Sequence, residues 1–343
     1  MKYPSFSKKC DSLLCKYLSK EIFDELKDLK TSSGFTLEKA INSGVENLDS
    51  NIGVYAGDEE SYSLFSPLFN PIIDEYHGFI KSNNHTSDFN PENLIAPSLG
   101  ADEKYIISTR IRVGRNVKDF PLGAAISKIE RLELEKKVFS ALSLLDGELK
   151  GTYFPLLGMS EEVKNKLVKD HFLFKEGDRF MEAAGLNRNW PEGRGIYHND
   201  KKTFLVWVNE EDQIRIISMQ EGGNIKEVFT RLSSAINKLE QELDFSFNSH
   251  LGYISSCPTN LGTAMRASVH IKIPNLAKDI KKLEKITNKY NLEIRGTDGE
   301  HSQSKGGVYD ISNKRRLGIT EVDGVQDMYD GVVALIAAEK SLE

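Results

Sequence analysis

Cysteine is scarce, with 3 in 343 residues. Cys10, Cys15 and Cys257 cannot pair completely and show no Cys-x-x-Cys spacing, which excludes a disulfide scaffold and points to a reducing compartment. A basic excess is missing too: Lys+Arg number 45 against 51 Asp+Glu, a net charge of −6. General nucleic-acid binding needs a basic footprint, so no such partner is expected, although arginines concentrated locally remain able to hold phosphate. The longest unbroken apolar run, Val332 to Ala338, has seven residues, far short of a membrane span. The N-terminal MKYPSFSKKCDSLLCKYLSK lacks the apolar core of a signal peptide. The expectation is a soluble cytoplasmic protein without a membrane partner.

Several motifs are absent as well. There is no GxxxxGK[ST], no GxGxxG after a strand, and no HRD or DFG pair. His171, His198 and His270 have no His-x-x-x-His or Glu-x-x-His partner, so no protein-held metal is expected. A nucleotide, if handled, would be gripped by arginines rather than by a glycine cradle.

What is present is a globular composition, 39% hydrophobic and 28% charged, on a length that suggests about two domains. Leu13, Leu14, Leu18, Ile22, Phe23 and Leu26 recur at helical spacing, and Leu37, Ile41 and Val45 follow Thr36. The Asn-, Ser- and Pro-rich stretch from Lys81 to Ser98 reads as a boundary, giving units 1–95 and 96–343. Beyond it, strands are expected at Tyr105–Val113, Thr203–Val208, Gln213–Met219, Arg266–Ile273 and Leu292–Arg295. Amphipathic helices carry Ile225 to Leu243 and Leu276 to Ile286, and a C-terminal helix begins at about Val325. TFLVWV and QIRIISM flank a four-residue acidic loop as a hairpin, which favours antiparallel pairing and an α+β fold.

Alternation places the chemistry. In STRIRV a strand sets Ser108, Arg110 and Arg112 on one face and Thr109, Ile111 and Val113 on the other. RASVHI repeats this with Arg266, Ser268 and His270 opposite Ala267, Val269 and Ile271. Each face reads either as ordinary solvated sheet or as a phosphate grip, since a guanidinium fork matches phosphate oxygens. Arg215 and Arg295 could join the same surface. Glu210, Glu211 and Asp212 crowd the hairpin turn. The bland reading, solvated loop carboxylates, is the stronger one for Glu210 and Asp212. Cys257, in SSCPTNLGT, reads equally as a small buried hydrophobe or as a thiol with thiolate character. Trp190 and Trp207 read as packing residues.

VWVNEED, STRIR, SSCPTNLGTAMRASVHIKIP, RGTDGEH and GGVYDISNKRR together resemble the phosphagen kinases, the ATP:guanidino phosphotransferases, over essentially the whole chain. The likeness is greatest to those members that phosphorylate L-arginine. It implies a small all-helical N-terminal domain and a larger domain with an antiparallel sheet flanked by helices. It implies ATP/ADP held by Arg110, Arg112, Arg215, Arg266 and Arg295, with Ser108, His171, Ser268, His270 and Asp310 around the nucleotide. Mg2+ would arrive with ATP, bound by phosphate and water. Glu211 and Glu300 match the two carboxylates that grip a guanidinium, with Arg215 and Arg295 joining them in catalysis. Cys257 lies beside that grip. Ser50, Asn51, Ile52, Gly53 and Tyr55 match the loop that holds the amino-acid end. Asn51 and Ile52 stand where Gly and Val are usual, and Asn tolerates the left-handed backbone that Gly permits. Asp49 and Arg179 match a cross-domain ion pair, and the loop from Gly299 to Gly307 a closing lid. The resemblance also implies a monomer. Rival readings are a kinase for taurocyamine, lombricine or creatine, a protein-arginine kinase, and a nucleotide-binding homologue without catalysis.

Overall fold

The structure is a computed structural model and describes residues 2–7, 10–78, 84–296 and 306–343. Its strands are β1 (Ile106–Arg115), β2 (Gly151–Pro155), β3 (Gly195–Asn199), β4 (Phe204–Val208), β5 (Ile214–Glu221), β6 (Phe247–Asn248), β7 (Gly252–Tyr253), β8 (Met265–Lys272), β9 (Leu292–Arg295) and β10 (Val308–Asn313). Eight of them form one antiparallel sheet in the order β2-β3-β4-β5-β1-β8-β10-β9, and β6 pairs with β7 separately. The α+β expectation therefore holds. The hairpin holds too: β4 and β5 pair Val208 with Ile214, and the Asn209 amide donates to the Gln213 carbonyl at 2.8 Å to close the turn.

The alternation in β1 and β8 divides the sheet as the sequence requires. Thr109, Ile111, Val113, Ala267, Val269 and Ile271 are buried on one face, in a core completed by the helices Ile225–Leu239 and Glu321–Lys340. Burying that apolar face is the main driving force for the layer arrangement. The C-terminal helix begins four residues before the expected Val325, at Glu321. Thr320 accepts from the Asp323 amide at 3.1 Å while Asp323 accepts from the Thr320 amide at 3.0 Å, a reciprocal cap. The sequence reading also missed β2, β3, β10 and the helices Ser66–His77, Lys128–Leu142 and Glu161–Lys169. The strands are short and glycine-flanked, and Lys128–Leu142 mixes charged and apolar residues around its circumference.

The helices Leu13–Tyr17, Lys20–Leu26, Leu37–Glu46, Glu60–Leu64 and Ser66–His77 form the N-terminal helical domain. Its core, around Leu14, Phe35, Ile41, Phe65 and Phe69, continues without a break into Ile254, Cys257, Leu261 and Leu317 of the sheet domain. From residue 84 the connecting stretch is strapped to the larger domain, with the Asp88 amide and the Ser87 hydroxyl both donating to Glu321 at 2.9 Å. Cys10 and Cys15 are disulfide-bonded, a pairing their spacing had not suggested, and Cys257 is a free buried thiol.

Replacing Thr320 with Ala removes one half of the reciprocal cap and should destabilise the protein by about 1 kcal/mol. Urea unfolding should show this as a lower midpoint with an unchanged slope.

Candidate active site

The other face of the sheet carries a row of cations across β5, β1, β8, β10 and β9, and strand register sets its geometry. Residues directly opposite each other share a face, so Arg112 stands across from Arg266 and Arg110 from Ser268. Ser108 faces His270, His270 faces Asp310, and Asp310 faces Arg295. On the other side Gly114 faces Arg215. Nine of the residues expected around a nucleotide thus come from five adjacent strands and share one face. Arg112, Arg215 and Arg266 converge with Arg316, Asp212 and Asn260 on one small polar depression.

Burial, and then the closeness of the neighbouring guanidinium groups, lowers the proton affinity of the central arginines. Burial, with Arg266 and Arg215 alongside, drives Arg110 down to about 10. Arg112 is pushed down further, by burial and then by Arg215 and Arg110. Among the described residues, the buried Nε atoms of Arg110 and Arg266 have no hydrogen-bond partner. Arg266 donates to Asp310 at 2.9 Å and Arg295 to Glu293 at 2.9 Å. Burial alone would raise the Asp310 carboxyl, but His270 and Arg266 hold it below the usual carboxylate range. The row is a cationic cradle with donors left over for an anion.

The turn between β4 and β5 supplies the acids. Arg215 meets Glu210 at 2.7 Å, Glu211 at 3.0 Å and Asp212 at 3.7 Å. Burial opposes the Arg215 charge, and these three carboxylates more than restore it. Glu210 and Asp212 are therefore not the solvated loop residues suggested by their position in a turn. Asp212 is buried and accepts from Asn116 at 3.1 Å, and a Cβ at Gly114 would lie 2.3 Å from its carboxylate. Asn116 also accepts from the Gln213 amide at 3.0 Å, while Gln213 accepts from the Val117 amide at 2.7 Å, which clamps the turn to the end of β1. Glu211 accepts from Asn260 at 3.0 Å through its other oxygen. Burial pushes its carboxyl up to about 7 even against Arg215.

The N-terminal domain closes the other side. The Ala56 amide donates to the Ser256 carbonyl at 2.7 Å, Ser256 returns a bond to the Ala56 carbonyl at 2.7 Å, and Tyr62 donates to the Ser255 carbonyl at 2.7 Å. Tyr55 and Cys257 are thereby held close to Glu211, and burial raises both, Cys257 to about 12. Thiolate character at Cys257 is disfavoured in this environment. Gly53 has a φ of +78° and lies against Leu14, so a side chain there is excluded twice over. Ile52 is buried in the N-terminal core and its carbonyl accepts from the Leu14 amide at 3.1 Å, while Asn51 is exposed. Arg179 donates to Asp49 at 2.9 Å across the domains, and Ser43 to the Phe180 carbonyl at 2.8 Å.

His171 lies apart from the row, exposed in the turn after the helix Glu161–Lys169 with a φ of 60°. Glu300 and most of the Gly299–Gly307 loop lie outside the described residues. Asn116, Asn260 and Arg316 were not singled out from the sequence. Each acts through contacts between distant segments, for which neither periodicity nor spacing leaves a signal.

A sequence model of the ATP:guanido phosphotransferase C-terminal catalytic domain matches residues 133–342, and one of the N-terminal domain matches residues 8–74. Arginine kinase of Artemia franciscana is 57% identical over 334 residues, 97% of this chain and 94% of that protein. Lombricine kinase superimposes with a TM-score of 0.94 at 40% identity, over 99% of this chain and 95% of that one. The duplicated taurocyamine kinase of Schistosoma mansoni, solved with transition state analog components, gives 0.91 at 44% identity over 97% of this chain. This chain spans 47% of that duplicated protein.

The raised Glu211 carboxyl gives a pH dependence of definite sign. It keeps its proton to about 7 when folded but only to about 4.3 when unfolded, so its stabilising contribution is full below pH ~4.3 and lost as pH rises to ~7. Urea unfolding at pH 5 and pH 8 should show wild type losing on the order of 2 kcal/mol relative to Glu211→Gln across that interval. Parallel profiles would return Glu211 to an ordinary carboxylate.

Proposed function

The chain belongs to the ATP:guanido phosphotransferase family, and from that premise we propose that it is an arginine kinase, moving the γ-phosphoryl group of ATP reversibly to the guanidino group of L-arginine. The observation that carries this reading is a juxtaposition. A cationic cradle with unpartnered buried N–H groups on Arg110 and Arg266 adjoins Glu211, whose proton affinity lies near neutrality. One part suits polyphosphate, the other a guanidinium that must surrender a proton.

In the proposed assignment Arg110, Arg112, Arg215, Arg266 and Arg295 neutralise the phosphates, and Ser108, His171, Ser268, His270 and Asp310 surround the nucleotide. Glu211 and Glu300 align the guanidinium, and a carboxyl near pH 7 is suited to accept its proton. Cys257 stands beside the reacting nitrogen. Backbone groups of Ser50 to Gly53, with Tyr55, hold the amino-acid end of arginine. The burial of Ile52 supports a backbone role for that position and leaves Asn51 as the added side chain at the loop. Phosphoryl transfer spreads charge over a loose transition state, so positioning and fixed electrostatics supply most of the catalysis. Fixing both reactants in line is worth on the order of 7–11 kcal/mol. Closure over the site excludes water as a competing acceptor.

Among the described residues no three His, Cys, Asp or Glu side chains could hold a metal ion. Magnesium is assigned to the nucleotide, with MgATP as the substrate and phosphate oxygens and water as the ligands. The proposal extends to a boundary at residues 95/96, a monomeric working unit, since one chain supplies both sides of the cleft, and a cytoplasmic setting. Among the described residues no helix is long and apolar enough to cross a membrane.

Turnover of MgATP against arginine, taurocyamine, lombricine, glycocyamine and creatine tests the substrate. Arginine should give fast turnover and the others at least tenfold less; preference for another guanidine would move the assignment to that substrate. Glu211→Gln should lower kcat by at least a hundredfold with little change in ADP affinity. Arg266→Ala should weaken ADP binding at least tenfold, and unchanged affinity would remove Arg266 from the phosphate site.

A further inference from the structure

The cationic row occupies only part of its face. Register carries the same face outward: Trp207 stands across from Arg215, Ile196 from Trp207, and Phe154 from Ile196 at the sheet edge. There the surface turns apolar, and a cavity of about 640 Å3 opens between β2, β3 and the helix Glu161–Lys169. That volume is of the order that encloses a small organic ligand.

The lining has two chemistries. Phe154, Leu157, Leu167 and Phe172 form an apolar wall. Phe154 and Leu157 are 39% and 60% exposed, a surface that water solvates poorly and a ligand would cover. The Phe154 ring stacks on His198 at 5.1 Å, a flat platform of the kind aromatic groups occupy. Lys166 and Lys202 also line the cavity, with Lys202 Nζ 5.6 Å from the Phe172 ring. Asp170 is the single acid among the described lining residues, so cations outnumber anions at the mouth. None of these residues belongs to the assigned phosphate or guanidinium site; His171, assigned to the nucleotide, lies between Asp170 and Phe172 but does not line the cavity.

We propose that this cavity is a second ligand site, taking a small amphiphilic anion: an apolar body of two or three rings carrying one carboxylate or sulfonate. The rings fill the apolar wall beside Phe154, and the anionic group meets Lys166 and Lys202. The inference does not rest on which guanidine the enzyme phosphorylates. The site also has an internal reporter. Trp207 donates to the Phe172 carbonyl at 2.8 Å, so an occupant against Phe172 lies close to the indole.

The test is titration of the full-length protein with 1-anilinonaphthalene-8-sulfonate, following dye emission and energy transfer from tryptophan. One dye per chain is expected, with saturating MgADP leaving its affinity within twofold. The uncharged N-phenyl-1-naphthylamine should bind at least fivefold more weakly. The double variant Lys166→Gln/Lys202→Asn should weaken the sulfonate at least tenfold while retaining phosphoryl transfer, which also shows that it folds. Leu167→Asp should abolish binding. Competitive displacement by MgADP would overturn the proposal, because the dye would then be reporting the nucleotide site. Equal affinity of the charged and neutral dyes, or indifference to the lysine pair, would overturn it as well. A dimer in light scattering that Leu157→Asp dissociates would make this face an interface between copies instead.

Discussion

Like charges on one face of a sheet repel, and the strands that carry them are held together by forces acting on the other face. Arg110 and Arg112 sit on β1, between β5 with Arg215 and β8 with Arg266. The residues between them, Thr109, Ile111 and Val113, are buried beneath in the main core. Apolar burial therefore fixes the spacing, and the guanidinium groups accept the proximity that it imposes. Acids relieve the outer members: Glu210, Glu211 and Asp212 for Arg215, Asp310 for Arg266, Glu293 for Arg295. Among the described residues the central pair has no such partner, and burial first, then the neighbouring arginines, lowers its proton affinity. A polyanion lying across the row would relieve both the burial of charge and the repulsion, which is the physical ground for assigning phosphate to it.

The seam between the domains answers to a different rule. The N-terminal core runs directly into Ile254, Cys257 and Leu261, so the helical domain is seated on the sheet domain by apolar contact rather than by surface charge. The exposed Asp49–Arg179 pair adds orientation and little energy. The Ala56 amide bond to the Ser256 carbonyl, and the Ser256 hydroxyl bond to the Ala56 carbonyl, then fix the loop that faces Glu211. A loop seated in this way owes its path to backbone contacts and leaves the Asn51 side chain exposed.

Much of this was readable in advance, and the parts that were not have a common cause. Period-two alternation revealed the faces of β1 and β8 because one face is apolar and the other cationic and polar. The β4–β5 hairpin was legible because its strands are β-branched and its turn is polar. The same turn misled at Glu210 and Asp212, since polarity in a turn normally means solvent. Their burial follows from Asn116 and Arg215, and Asn116 approaches from nearly a hundred residues away. Asn260 and Arg316 were invisible for the same reason. Capping at Thr320 was legible in principle, a Thr three residues before an Asp, although the helix was expected only from about Val325.

The strand order has a consequence for how the protein comes into being. β1 is laid down early in the chain, yet its neighbours in the sheet are β5 on one side and β8 on the other, about a hundred and a hundred and fifty residues later. Until both have been synthesised, β1 has two open edges and an unmatched arginine face. Contacts of such long sequence separation form slowly and leave partly built sheets exposed to association. Charge carried by an unfinished sheet opposes such association. The arginine face assigned to phosphate thus cannot be complete before β8 has arrived.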